Sequence, residues 1–288
     1  MGEALALASA VLFGTTHFLS GLLARRVDSA AVALLGQLGG VVLMLCLAPS
    51  FTAAAPVVDG ADLAWGGLSG IGTGVGVSSV YRGMSRGQFS VVVPLSDVAA
   101  VALPVLVGVA LLGDRPGAVA WCGIAAAPAA LWFVSRTGHA EREGVPGEGR
   151  GGFAAGAPDG LLAGGGFALQ FIGLAQIDAE AGLWPLLANR AAAILVLVPL
   201  FVRRPQRLRM PARLVWACSG AGVLGMSAIT LYTLATREQL LSLTVVLTAM
   251  YPAIPVLLGV TVLRERLTRP QVLGLALAAA SIGLISLA

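Results

Sequence analysis

No polar stretch of this chain is long enough to solvate a domain. Ten apolar runs follow one another, at residues 4–23, 30–48, 62–82, 88–112, 117–135, 159–177, 182–202, 212–235, 239–263 and 270–287. Most are close to the roughly 20 residues that a helix needs to cross a hydrocarbon core of about 30 Å. Charged residues make up 11% of the chain, against roughly a quarter in soluble domains, so lipid must be its main solvent. A soluble enzyme, a DNA-binding module and a disordered tail are excluded together. The expected fold is all-α and integral to the membrane, with ten transmembrane helices and the bilayer as a permanent partner.

The short connections carry the charge, and its distribution sets an orientation. All 18 basic residues are Arg. Fifteen fall in the connections after runs 1, 3, 5, 7 and 9, from Arg25 and Arg26 to Arg264, Arg266 and Arg269, while only Arg115 and Arg237 lie on the opposite side. Basic loops stay cytoplasmic, so both termini are expected outside, in a multi-pass membrane protein. Clusters of this kind orient a chain and do not point to nucleic acid. Only Met1, Gly2 and Glu3 precede the first run, which reads as an uncleaved first helix and not a signal peptide. Cys46, Cys122 and Cys218 each sit inside an apolar run without paired spacing. They read as small buried hydrophobes, neither disulfide partners nor metal ligands.

From Trp65 onward the chain resembles itself at a constant offset of 151. Trp65 pairs with Trp216, Tyr81 with Tyr232, Arg86 with Arg237, Gln88 with Gln239, Pro104 with Pro255, and Gly108 with Gly259. Matches of Trp, Tyr, Arg, Gln and Pro in one register do not arise from apolar composition. The organisation expected is a first five-helix repeat over 1–135, a Gly-rich charged linker over 136–158, and a second five-helix repeat over 159–288. Five is odd, so the second copy enters the membrane upside down. Inverted-topology repeats are the architecture of secondary transporters, with the substrate near the midplane between the halves.

The fourth helix of each repeat ends in Leu112-Gly113-Asp114 or Leu263-Arg264-Glu265, and Pro252 stands thirteen residues before the second acid. In these features and in its ten spans the chain resembles the drug/metabolite transporter superfamily, EamA type. The first repeat departs from the pattern, with Val101 where the proline would stand and prolines at 94 and 104 instead. The resemblance covers nearly the whole chain. It implies export of amino acids and related metabolites, aromatic ones included.

Charges inside the runs are the sharpest local signal. Asp97 lies about ten residues into the fourth run and Arg190 about nine into the seventh, which puts both near the midplane at 1.5 Å per residue. A charge there costs roughly 3 kcal/mol and must face protein or a wet cavity. Two readings stand side by side. Arg190 holds a substrate carboxylate while Asp97 takes its amino group or a proton, or the two form an ion pair that locks the halves. His17, Gln37, Asn189 and Tyr251 are expected to line the same cavity. His17 either relays protons, as its unperturbed pKa of about 6.5 allows, or donates a hydrogen bond to a neighbouring helix. Tyr81, Tyr232 and the five tryptophans fall near run ends and read as interfacial anchors. Gly66, Gly70, Gly74 and Ser78 recur every four residues as one smooth ridge, widened by Gly72 and Gly76, of the kind that lets helix backbones approach closely.

A small multidrug-type antiporter would carry a Glu in the middle of its first helix, where this chain has only Glu3 at the start. No HExxH motif and no Cys/His pair occurs, so no catalytic residue, metal site or cofactor is expected. The expected function is a gradient-driven carrier, not an enzyme, that exports amino acids or related small molecules by alternating access, with a monomer sufficing. A multidrug or cation exporter is the first alternative, and a membrane-embedded enzyme the second.

Overall fold

In the computed structural model of the chain, described over residues 2–51, 59–107, 117–135, 154–178, 181–182, 184–202, 204–238 and 251–286, every long element is a helix. These are α1 (Gly2–Ala24), α2 (Ser29–Phe51), α3 (Gly60–Arg86), α4 (Phe89–Val107), α5 (Ala118–Ser135), α6 (Ala157–Leu174) and α7 (Trp184–Leu197). After them come the short α8 (Pro199–Val202), then α9 (Ala212–Glu238), α10 (Ala253–Thr261) and α11 (Arg269–Ser286). No strand occurs among the described residues. Residues 108–112 and 239–250 of the fourth and ninth runs, residues 136–153 of the linker, and the Leu112-Gly113-Asp114 motif lie outside the described residues. Ala157 and Pro158, read as linker, already belong to α6.

Among the described residues, four segments are long and apolar enough to cross a membrane by themselves: Gly2–Ala24, Ser29–Cys46, Trp184–Val202 and Ala212–Tyr232. Shorter apolar stretches occur in α4, α5 and α11. Large apolar side chains stand on the outside, Leu195, Val202 and Trp216 among the most exposed, as expected of a surface whose solvent is lipid. Trp121, Trp132 and Trp184 are exposed too. Cys46 and Cys122 are exposed, and only Cys218 is buried, which corrects the reading of all three as interior. Each lies in an apolar run, but an apolar run in a membrane has a lipid face as well as a protein face.

The most extensive packing joins α1 and α2 to α9, α6 and α7 to α3, α4 to α6, and α5 to α11. The interior is filled by Phe18, Val80, Met84, Phe89, Val92 and Leu197, and a second cluster of Val98, Ala102, Ala127 and Ile282 holds α4, α5 and α11 together. The glycines of α3 face two partners. A Cβ at Gly66 or Gly70 would lie 2.3 Å from the carbonyl oxygen of Pro185 or 2.1 Å from that of Asn189, both on α7. One at Gly72 would lie 2.4 Å from the carbonyl of Gly166 on α6. The ridge and its widening are therefore separate docking stripes, one for each neighbour.

Outside the hydrophobic interior, α3 begins with a capping box in which Asp62 N–H donates to Asp59 at 2.8 Å. In its last two turns Arg82 Nε donates to Asp159 in the first turn of α6 at 2.7 Å, with Arg86 3.8 Å from the same carboxylate. An acid in a first turn also meets the positive end of the helix dipole.

Candidate functional site

The polar residues of the interior fall into three groups. The first is built on α1, α4 and the turn before α10. Asp97, 4% exposed, sits two turns into α4 and accepts a short hydrogen bond from the Tyr251 hydroxyl through Oδ1. Its other oxygen, Oδ2, is buried and has no hydrogen-bond partner among the described residues. A buried carboxylate oxygen left unsatisfied is costly, and such an orphan calls for a proton or a cationic ligand. Tyr251 lies immediately before Pro252, which caps α10, and Gly14 on α1 lets the Tyr251 carbonyl approach. The Tyr251 ring is flanked by two groups of α1, His17 at 5.4 Å and Phe13 at 5.8 Å between centroids.

His17 Nδ1 lies 2.9 Å from the Phe13 carbonyl oxygen. A carbonyl only accepts, so Nδ1 carries the proton and, in the neutral ring, Nε2 is left as an acceptor. Phe13 escaped the sequence reading, although it lies one helical turn from His17 and so on the same face. Tyr81, expected at an interface, is instead 7% exposed, edge-on to His17 at 6.4 Å and within electrostatic reach of Arg190. The reason is the length of α3, which continues to Arg86 and carries Tyr81 inside.

The second group is Arg190 on α7 with Gln37 on α2. Arg190 Nη1 donates to Gln37 Oε1 at 2.7 Å, and Nη2 lies 3.9 Å from the Met226 sulfur on α9. The alternative of an Asp97–Arg190 ion pair is not what the structure holds. Among the described residues the ion pairs are Arg25–Glu265, Arg82–Asp159, Arg86–Asp159 and Arg207–Asp28. The two interior charges of opposite sign are kept apart, with Tyr251, His17 and Tyr81 forming a row between them.

In the third group Asn189, one residue from Arg190, turns to α3. Its amide donates to Ser69 Oγ at 2.7 Å and to Thr73 Oγ1 at 3.0 Å, and Thr73 donates to Gln170 on α6 at 2.7 Å. This network ties α7, α3 and α6 along the glycine stripes.

Chemically, the arrangement offers a donor cation, an acceptor with a vacant lone-pair position, and an aromatic wall between them. Among the described residues no group of three His, Cys, Asp or Glu side chains is placed to hold a metal ion.

Comparison with known proteins agrees with this architecture. A crystal structure of another protein superposes on the chain with a TM-score of 0.56, over 98% of this chain and 94% of that one, at 15% sequence identity; the likeness is one of fold. No curated protein matches the chain. The family model of the EamA-like transporter family matches residues 1–136 and 160–287. Matched over nearly its whole length, the chain belongs to the EamA-like transporter family of the drug/metabolite transporter superfamily, a family of membrane-embedded carriers of small molecules.

Proposed function

We propose that the chain is a secondary transporter that exports amino acids, aromatic ones included, across the bacterial inner membrane by alternating access. The observation that carries this reading is the separation of Asp97 from Arg190. Among the described residues one oxygen of the buried carboxylate has no partner, and the guanidinium meets an amide and a thioether instead of an acid. A zwitterion with a flat side chain supplies what both ends lack: its ammonium group goes to Asp97, its carboxylate to Arg190, and its ring to the wall of Tyr251, His17 and Tyr81. Gln37 aims the guanidinium, Tyr251 aims the carboxylate, and Asn189 fixes the helix that carries Arg190.

The inverted arrangement of two five-helix repeats belongs to the same proposal and is supported by the exchange of packing partners. The first two helices of the first half pack on α9, and the first two of the second half pack on α3, as a twofold in the membrane plane requires. With the arginine-rich loops inside, both termini face out.

The test is uptake into liposomes by purified protein, over a panel of labelled amino acids, sugars and a cationic dye. Saturable amino-acid movement that Arg190→Ala and Asp97→Asn each abolish is the expected result. Transport unchanged in both variants would overturn the site. A second reading, export of organic cations, is favoured by the Phe13 and Tyr251 rings beside Asp97, since aromatic faces attract cations. Dye movement that needs Asp97 but not Arg190 would select it.

A further inference from the structure

We propose that Glu265 is the latch of a gate at one end of the bundle, and that the Asp97–Tyr251 bond is its trigger, so that substrate capture by Asp97 loosens the latch. The trigger half rests on the reading of Asp97 as a substrate contact; the latch half does not.

The latch is built from four parts of the chain. Glu265, just beyond α10, has a side chain only 7% exposed. Its Oε1 accepts from Phe89 N–H at 2.9 Å, and its Oε2 from Ser90 N–H at 3.1 Å and Ser90 Oγ at 2.8 Å. These are the first two residues of α4, so the acid of one half of the chain caps a helix of the other. Arg25, at the end of α1, completes the closure. It stands 3.5 Å from Glu265 Oε1, donates to the carbonyls of Met84 at 3.1 Å and Gly87 at 2.9 Å at the end of α3, and covers the Phe89 ring at 4.6 Å.

The backbone around Glu265 is shaped for this contact. Arg264 has φ +56°, in the left-handed region that disfavours a residue with a Cβ. The reversal there brings Glu265 N–H back to the Gly259 carbonyl at 3.1 Å. A Cβ on Gly259 would sit 2.8 Å from Glu265 Oε2, so the glycine leaves the space that the carboxylate occupies. At the offset of 151, the first repeat carries Gly113 opposite Arg264 and Asp114 opposite Glu265.

Two features make this joint a gate. The N–H groups of Phe89 and Ser90 belong to the orphan donors of a helix start, and a side chain from elsewhere satisfies them. They can therefore be released without unfolding α4, provided water reaches them. The joint is either shut and dry or open and wet, the kind of bistable contact on which switching transitions run. In addition, the same two segments are clamped twice. Residues 89–90 meet 265, and Asp97 meets Tyr251, so the segments run antiparallel with one clamp at the end and one in the interior. A substrate ammonium that takes Asp97 from Tyr251 removes the inner clamp and leaves the outer one to hold alone.

The experiment reads the gate by chemical access. With Cys46, Cys122 and Cys218 replaced by Ser, Met84→Cys places a single thiol on a wholly buried position beneath Arg25. Its labelling by a membrane-impermeant maleimide is followed in vesicles of both orientations, with and without amino acids. Glu265→Gln is expected to raise labelling from the Arg25 face about tenfold, the effect of losing one charge-assisted hydrogen bond. Tyr251→Phe should raise it without substrate and leave substrate no further effect. Arg25→Gln, which keeps the cap and loses the ion pair, should give a smaller rise and serves if Glu265→Gln fails to fold. Unchanged labelling in folded Glu265→Gln and Arg25→Gln protein would overturn the latch. If these variants open the gate but no amino acid moves the labelling of the parent, the latch holds and the trigger falls with the substrate reading. If amino acids open the parent while Tyr251→Phe behaves as the parent does, the trigger is overturned and the substrate reading stands.

Discussion

Arg190 and Gln37 meet across α7 and α2, guanidinium to amide oxygen at 2.7 Å. A neutral acceptor leaves the cation its charge, whereas a carboxylate in that place would neutralise it. Gln37→Glu is therefore expected to keep or raise thermal stability while raising KM for carboxylate-bearing substrates at least about tenfold, or about 1.4 kcal/mol. Gln37→Ala should instead lower stability by about 1–3 kcal/mol, the cost of a buried donor left unpaired. Melting curves and uptake kinetics on the two variants separate these effects; a Gln37→Glu carrier with unchanged KM would remove Arg190 from the carboxylate path.

Asn189 is expected to act on stability before transport. Its side-chain amide donates to two hydroxyls of α3, so Asn189→Ala should cost about 1–3 kcal/mol through the two hydrogen bonds that Ser69 and Thr73 no longer accept. The KM of the folded fraction should change little. A large KM change at unaltered stability would show that the amide touches substrate.

The stripes on α3 give a paired prediction at neighbouring positions. A Cβ at Gly70 would meet the Asn189 carbonyl at 2.1 Å, whereas one at Gly67 has nothing within 4 Å. Gly70→Ala should destabilise by roughly 1–3 kcal/mol, the usual cost of overpacking. Gly67→Ala should be neutral or stabilising by up to about 1 kcal/mol, from helix propensity. Equal melting temperatures for the two variants would contradict the packing of α3 on α7.

Arg264 tests the turn that aims Glu265. With φ at +56°, a β-branched residue is strained there and glycine is not. Arg264→Val should lower stability by about 1–3 kcal/mol, and Arg264→Gly should match the parent or exceed it slightly. The reverse order would mean that the guanidinium, not the backbone, is what position 264 supplies.

How much of this was legible beforehand can be judged residue by residue. Asp97 and Arg190 stood out because hydrocarbon penalises charge so heavily that two ionisable residues deep inside apolar runs demand a reason. Tyr251 was also legible as interior, from its depth in the ninth run. That it bonds to Asp97, 154 positions away in the chain, was not, because side chains on different helices meet through packing that no local spacing encodes. Tyr81 was misplaced for a related reason: hydropathy ended the third run at residue 82, while α3 continues to Arg86 and keeps the ring inside. Glu265 was visible only as part of a recurring helix ending. Its role as a cap on α4 depends on the reversal at Arg264 and the space above Gly259, both matters of backbone conformation.

Residue order alone sets the solvent, the helical class and the matched positions at an offset of 151. A hydrocarbon environment forces each segment to satisfy its own backbone, and that requirement is written locally, in runs of apolar residues and their flanking charges. Tertiary structure alone decided which stripe of α3 meets α6 and which meets α7, that Asp97 and Arg190 stay apart, and that an acid of one half closes a helix of the other. Those outcomes depend on a few ångströms of approach between backbones and on the direction of single side chains, which the order of residues along one helix does not specify.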